Sequence, residues 1–435
     1  MKRIFSIILC GAVVAGFSSC KNEVDDIFEE SSALRLNHAV ATYGELLTSA
    51  ENGWVMEYFA NEEEQGYPML VKFSADGSVT IGAKNTYSNN NVYSTETSLY
   101  EVIADNGPVL SFNTYNTLFH VFSTPEDLPE TEDEDEQGLG HEGDYEFVIY
   151  EGDADHFVMK GKKHGLGINM YKLPADQSWD TYFDQIDEIK NRYFSSLIET
   201  IYLTSGDERY TITGMSGGLM NFVPEGGDPI SQTETTPFIV RLDGTVHLCT
   251  PFEGENENFA VQNFSLSDDG TLQCVDENQS AVISGPTIEE IFLGSTWSID
   301  FERVNGAFAA SLETLNNEHL NRFGNGLLSL QFMPSSSDLG YSLRFSFGTA
   351  SRPTTGNIYV GMNLNGESLT FSYDGTGDRN GLNMLNLISG YTALLDLLSS
   401  TTFTMSVESL PLCPIELRVS STSNSEDWFV LRKIN

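Results

Sequence analysis

Met69-Leu70-Val71-Lys72-Phe73-Ser74-Ala75-Asp76-Gly77-Ser78-Val79-Thr80-Ile81 reads as two apolar, β-favouring runs on either side of an Asp-Gly pair. Asp-Gly supplies the positive φ that a tight turn demands, so the stretch predicts an antiparallel hairpin. Upstream, Trp54-Val55-Met56-Glu57-Tyr58-Phe59 predicts another strand, and Asn52-Gly53 a helix stop. Before that stop, Leu36, Ala39, Val40, Tyr43 and Leu47 recur at helical spacing behind a Ser31 or Ser32 cap. Downstream, strands are predicted at Ser98 to Ile103, Val109 to Phe112, Leu118 to Phe122, Tyr145 to Tyr150, His156 to Lys160 and Ile168 to Leu173. One helix followed by an antiparallel meander is therefore the expectation for residues 32–175.

The helical period returns after Pro174, where Ser178 can cap a helix with Trp179, Tyr182, Phe183, Ile186, Ile189, Tyr193 and Leu197 on its apolar face. A second lobe, residues 176–435, is expected from here, with a sub-boundary near 285. Ile239-Val240-Arg241-Leu242-Asp243-Gly244-Thr245-Val246 echoes the first hairpin. Thr287-Ile288-Glu289-Glu290 is a capping box for a short helix, and Gly294 with Trp297-Ser298-Ile299-Asp300-Phe301 repeats the helix, glycine, tryptophan and strand order met at Trp54. The two echoes fit either related lobes or convergence, since both devices are common. Further helices are predicted at about Ala310 to Phe323 and Leu382 to Leu398, the latter too polar to span a bilayer and suited to plugging or covering a sheet. Asp374-Gly375-Thr376-Gly377-Asp378-Arg379-Asn380-Gly381 opens no βαβ unit and has no phosphate-loop lysine, so it reads as a turn. The fold expected is β-dominated α+β, with two antiparallel β-meander or open-barrel lobes and packed helices, the first lobe lipocalin-like.

The start of the chain speaks of location. Lys2 and Arg3 form a positive n-region, and Ile4 to Phe17 an apolar run of signal-peptide length, too short for a membrane span. Ser18 and Ser19 before Cys20 look like a bacterial lipobox, although Phe17 stands where leucine is usual. The expectation is a signal peptide over residues 1–19 and a tether over 20–31, with Cys20 acylated and anchoring the chain to a membrane. Loss of the signal removes Lys2 and Arg3 and no acid, leaving 20 basic residues against 63 acidic ones, a net charge of −43. Such a surface repels phosphate backbones, which excludes nucleic acid as a partner. With 40% hydrophobic residues, including 27 Phe and 18 Tyr, the acidity does not signal disorder. Of the cysteines beyond Cys20, Cys249 and Cys274 lie in predicted neighbouring strands and either pair or sit reduced as small apolar residues, and Cys413 stands apart.

Asp25-Asp26-Ile27-Phe28-Glu29-Glu30-Ser31 leading to Arg35-Leu36, then Gly53-Trp54-Val55-Met56-Glu57-Tyr58, then Gly143-Asp144-Tyr145-Glu146-Phe147-Val148, resemble the Bacteroidetes lipoprotein family called domain of unknown function 4302. The resemblance covers essentially the whole mature chain and carries no catalytic motif. It implies company with outer-membrane nutrient importers of the SusC/SusD type, other surface lipoproteins and a protein resembling zinc metallohydrolases. Lys21, Glu23, Asp25 and Asp26 resemble the charged tag that in this group implies export to the outer face of the outer membrane.

No catalytic signature stands out. His-Glu-x-x-His, Gly-x-Ser-x-Gly and Walker patterns are missing, and the seven histidines are scattered. The run Glu126 to Glu136 is dense in acids and reads as a solvated loop. Within it, Asp133, Asp135 and Gln137, with Gly138 and Asp144, follow the offsets of a calcium loop, but the last position is Asp instead of a bidentate Glu and no helices flank it. Calcium is accordingly a weak cofactor candidate and no other is expected. His156 and His164 flank a predicted turn, where metal ligation competes with an ordinary surface role. Tyr87, Tyr93 and Tyr115 lie in polar loops and would suit sugar or peptide contacts. The reading preferred is a non-enzymatic surface lipoprotein that binds a nutrient or packs on an importer; a carboxylate-dependent hydrolase and a purely structural subunit are the alternatives.

Overall fold

The computed structural model describes residues 31–125, 138–194, 200–255, 259–409 and 412–434. Cys20, the tag residues Lys21, Glu23, Asp25 and Asp26, and Asp133, Asp135 and Gln137 lie outside them. Strand outweighs helix, 42% against 24%, and every strand pairing is antiparallel, so the architecture is the β-dominated α+β meander expected.

The first sheet places nine strands in the order Ser94–Leu99, Ser78–Ala83, Tyr67–Phe73, Trp54–Tyr58, Gly167–Lys172, His156–Gly161, Glu146–Gly152, Pro108–Ser111, Glu101–Ala104. Its two edge strands are consecutive in the chain, separated by Tyr100 alone, so they are halves of one bent strand and the sheet curls round on itself. Helices fill the split. Helix α1 (Ser32–Ser49) lies against Glu101–Ala104 and Pro108–Ser111. The short α2 (Thr86–Asn89) and α3 (Thr117–His120) pack beside Ser78–Ala83 and Ser94–Leu99. There Asn116 Nδ2 donates to the edge carbonyl of Glu96 (3.3 Å), satisfying a group the sheet leaves open. Inside the curl, Trp54, Met56, Tyr58, Met69, Val71, Phe147 and Phe157 interdigitate.

Leu118 to Phe122 was expected as a strand and is instead α3 running into a tight turn at Val121–Ser123. The Asn116 side chain decides this, because its Oδ1 accepts the Leu118 amide (3.1 Å) and so starts a helix that a short apolar run by itself does not specify.

Helix α4 (Trp179–Tyr193) then runs along the outside of the first sheet to the second. The strands of residues 176–435, expected in one lobe with a sub-boundary near 285, divide between two closed eight-stranded barrels, and the changeover falls between Ser284 and Trp297. In the second barrel Leu203 of the first strand lies opposite Ile283 of the last; in the third Trp297 lies opposite Lys433. The two share one continuous core. Helix α5 (Ile288–Phe292) links them, and both bonds of its predicted capping box form, Glu290 N to Thr287 Oγ1 and Thr287 N to Glu290 Oε2.

Helix α6 (Gly306–Phe323) packs on the third barrel beside the Leu-rich segment, which breaks at Ile388 into α7 (Arg379–Leu387) and α8 (Ser389–Ser399). Tyr391, Leu394, Leu395 and Leu398 of α8 are buried in that core, as a covering segment should be. The Gly-rich stretch from 374 is a turn only as far as Asp378, which caps α7, its Oδ1 accepting the Gly381 amide (2.7 Å), and residues 379–381 are already helical.

Of the two echoes, only one falls on equivalent positions. Trp54 and Trp297 each begin the first strand of a sheet, and each indole N–H reaches back to a carbonyl of the preceding helix, Leu47 (2.9 Å) and Phe292 (3.0 Å). Asp76-Gly77 joins the second and third strands of its sheet, whereas Asp243-Gly244 joins the fourth and fifth. Cys249 and Cys274 are free thiols, the reduced one of the two alternatives, and their strands are not the neighbours expected. Their strands are separated by Ala260–Leu266, and two strand spacings of about 4.8 Å exceed the Cα separation of about 7 Å that a disulfide tolerates.

Candidate functional site

The first sheet, a curled half-barrel, and the second barrel meet through their outer faces, and α4 lies in the join. Trp179 anchors the helix start, its indole N–H donating to the Asn52 carbonyl (2.9 Å), while Leu70, Leu173, Tyr182, Phe183 and Ile186 pack together beneath it. At the far side, Lys84 Nζ pairs with Asp184 (2.7 Å) and Asp187 (2.8 Å) of the helix. These bonds, Asp184 first, hold the Lys84 amine above its usual pKa.

Between helix and barrels opens a cleft of about 410 Å³. Its apolar wall is Phe183 and Ile186 of α4 with Phe238, Ile239 and Val240 of the second barrel; its polar wall includes Gln65, Asn85 and Asn91 of the first sheet. The segment at 61–66 that forms one lip is fixed by Asn61, whose Oδ1 accepts the amides of Glu63 (2.8 Å) and Glu64 (3.0 Å). Glu64 in turn accepts from Tyr67 Oη (2.7 Å) and bonds His141 Nδ1 (2.8 Å), tying the residues after the acidic run to the same lip. Gly66 permits the barrels to close here, since a Cβ would meet the Ile239 side chain and come within 2.6 Å of the Phe59 ring.

Lys190, one turn beyond Ile186, lines the cleft with its ammonium 6.0 Å from the centre of the Phe238 ring. Burial lowers its pKa, partly opposed by the Asp187 charge. No hydrogen-bond acceptor or carboxylate partner reaches it among the described residues.

Next to the cleft the barrels are fastened by polar groups. Arg241 binds Glu57 through Nε and through Nη2 (3.0 Å), donates to Tyr171 Oη (2.9 Å) and lies over the Tyr171 ring. A chain of amides and imidazoles continues from it. His156 Nε2 bonds Asn169 Oδ1 (3.1 Å), Asn169 Nδ2 donates to His247 Nε2 (3.1 Å), His247 Nδ1 donates to Asn263 Oδ1 (2.8 Å), and Asn263 Nδ2 donates to Asp276 (2.7 Å). Every ring nitrogen of His247 has its role fixed by this order, which requires the neutral imidazole, and burial lowers its pKa accordingly.

A family model described as Domain of unknown function (DUF4302) matches residues 24–266. The chain belongs to that family. The DUF4302 match includes the whole first sheet, both walls of the cleft and the polar fastening as far as Asn263, and it ends before Leu272–Cys274 and Val282–Ser284, the last two strands of the second barrel. No curated protein matches the sequence. Solved structures that align with it include the DNA polymerase III beta chain of Streptococcus pneumoniae TIGR4 (9% identity, covering 91% of this chain and 98% of that one, TM-score 0.12) and the Pseudomonas aeruginosa DNA polymerase sliding clamp (10% identity, 93% and 96%, TM-score 0.13). At such scores the alignments support no inference about this DUF4302 protein.

The residues singled out in the sequence are not gathered at the cleft. Asp144 spends both carboxylate oxygens on the turn after His156–Gly161, accepting the amides of Lys163 (2.8 Å) and His164 (2.9 Å). His156 and His164 sit at opposite ends of that strand region, His156 stacked on Tyr171. Among the described residues no group of three His, Cys, Asp or Glu side chains is arranged to hold a metal. Tyr115 is 61% exposed and stacks on His120, whereas Tyr93 packs toward Phe183 and Tyr87 packs edge-on against His141. Lys190 escaped notice, although a signal was there: it occupies a position of the α4 apolar stripe, four residues after Ile186 and three before Tyr193.

Proposed function

We propose that this chain is a lipid-anchored, outward-facing outer-membrane protein that binds a small nutrient as an accessory of a SusC/SusD-type uptake system, without catalysing a reaction on it. The observation that carries the binding half of this reading is the inter-barrel cleft. It lies where ligand sites favour, at a junction between folded units, and its volume falls within the roughly 300–1,000 Å³ of small-molecule pockets. It sets amide groups against aromatic and aliphatic walls, a lining that orients a polar ligand and buries its body. The anchoring half rests on Cys20 and the acidic tag behind it, and the importer company on what the family resemblance implies.

The binding reading is tested by thermal unfolding of the mature protein against glycan, short-peptide and small-acid panels. A ligand held in the cleft at a hundred times its dissociation constant stabilises by about 2.7 kcal/mol. Filling the cleft with Ile239→Trp should abolish that shift. Turnover of any panel member, lost on replacing a carboxylate pair, would favour a hydrolase instead. Palmitate labelling that disappears in Cys20→Ala tests the anchor, and recovery of an importer barrel in pull-downs tests the company.

A further inference from the structure

Acids outnumber basic residues 63 to 22 in this chain, and Lys72, Lys160 and Lys163, which among the described residues pair with no carboxylate, are exposed to water. Lys84, Lys162, Lys172, Arg209, Arg241, Arg303, Arg418 and Arg432 each have a carboxylate within 4.0 Å. Lys190 has none among the described residues, yet it lies on a concave wall where an ammonium is poorly hydrated. Asp187, the charge it feels most, already bonds Lys84 at 2.8 Å. The lining contributed by the second barrel, Phe238, Ile239 and Val240, carries no charge, and the first sheet's charged contribution, Lys84, is neutralised by Asp184 and Asp187.

We infer that the cleft receives a small organic carboxylate, its anionic head on Lys190 and its ring or aliphatic body against Phe183 and Phe238. This rests on the binding reading above and names the ligand class. A neutral sugar or amide would satisfy the amides of Gln65, Asn85 and Asn91 but would leave the ammonium unpaired, whereas a carboxylate forms with it the charge-assisted bond that is about twice as strong as a neutral one. A polyanion is disfavoured, because a single free ammonium would oppose it within a chain of net charge −41. Pairing also reverses the effect of burial on the amine: the empty cleft favours its loss of a proton, and the bound anion restores it. Binding is therefore accompanied by proton uptake at alkaline pH, and affinity falls as pH rises through the lowered pKa of the free Lys190 amine.

Isothermal titration of the mature protein with phenylacetate, hexanoate and D-glucuronate, each against its neutral amide, tests this. At least one acid should bind with its amide weaker by about tenfold or more, corresponding to about 1.4 kcal/mol. At alkaline pH its heat should vary with the ionisation enthalpy of the buffer. Lys190→Met should erase the difference between acid and amide without lowering the unfolding temperature, and Lys190→Arg should keep part of it. Equal binding of acid and amide, or acid binding untouched by Lys190→Met, overturns the carboxylate assignment while leaving the cleft a binding site. No binding by these acids overturns the carboxylate assignment; if glycan and peptide panels also fail and Ile239→Trp changes nothing, the binding reading falls with it.

Discussion

Glu57 is 1% exposed and sits on the outward face of a strand whose neighbours Trp54, Met56 and Tyr58 point inward. Its carboxylate tolerates that position only because Arg241 from the second barrel grips it with two bonds. Removing one partner of such a pair strands the other, so Glu57→Gln should destabilise the protein by about 3 kcal/mol, read by chemical denaturation, and more than Arg241→Met combined with Glu57→Leu. The buried histidines set a pH limit at the same scale. His247 Nε2 accepts an amide N–H, and His120 Nδ1 accepts the backbone N–H of Asn116 (3.1 Å), so protonation of either would turn a donor against a donor. Burial lowers both pKa values. A base held below its unfolded value, about 6.5 for histidine, leaves stability whole above that pH and erodes it as pH falls toward the folded value. The unfolding temperature should accordingly drop between pH 7 and 5. Replacing both histidines with glutamine should flatten that slope; a slope unaltered in the double variant would remove them as its cause.

Individual elements follow local rules where those rules were strong. Ser31 accepts the Leu34 amide, and the Thr287 box forms both its bonds, so Thr287→Ala should cost about 1 kcal/mol. Trp54 and Trp297 stitch a helix end to a first strand, and replacing either with Phe leaves a helix carbonyl unpaired in the core, a loss of about 1–2 kcal/mol measurable by thermal unfolding. This helix–tryptophan junction was legible in the sequence, as were most strands, because period-two patterns and Asp-Gly turns act over a few residues. What was not legible depends on partners far along the chain. Leu118 to Phe122 has strand composition, and the Asn116 side chain, with its long-range bond to Glu96, sets a helix there. Cys249 and Cys274 lie on strands that Ala260–Leu266 separates, and no local pattern marks that intervening strand. The cleft was invisible because Gly66, Lys84, Lys190 and Phe238 come from four separate stretches of the chain, and no local pattern records that they meet.

At the scale of the molecule, the second barrel needs Val282–Ser284 to pair with Ile201–Ser205, beyond the end of the family match at 266. A chain cut at 266 should lose the second barrel to proteolysis. A chain cut at 286 keeps all eight of its strands but exposes the core it shares with the third barrel, and should bind a hydrophobic dye that the whole chain does not. Limited digestion and dye fluorescence distinguish the two, and equal protease resistance at both cuts would refute the role assigned to the last strands.

The same closure has a kinetic side. In every sheet the first strand bonds to the last, Trp54 to Lys172, Leu203 to Ile283 and Trp297 to Lys433; in the two closed barrels this contact completes the ring, and in all three sheets it is among the most distant in sequence. Loop-closure entropy must be overcome before that pairing returns any energy, and meanders dominated by such contacts fold in milliseconds to seconds. Until its final strand is delivered, each of the two closed barrels stays open at one seam. Each of the three sheets thus awaits the strand that comes last in its own stretch of the chain.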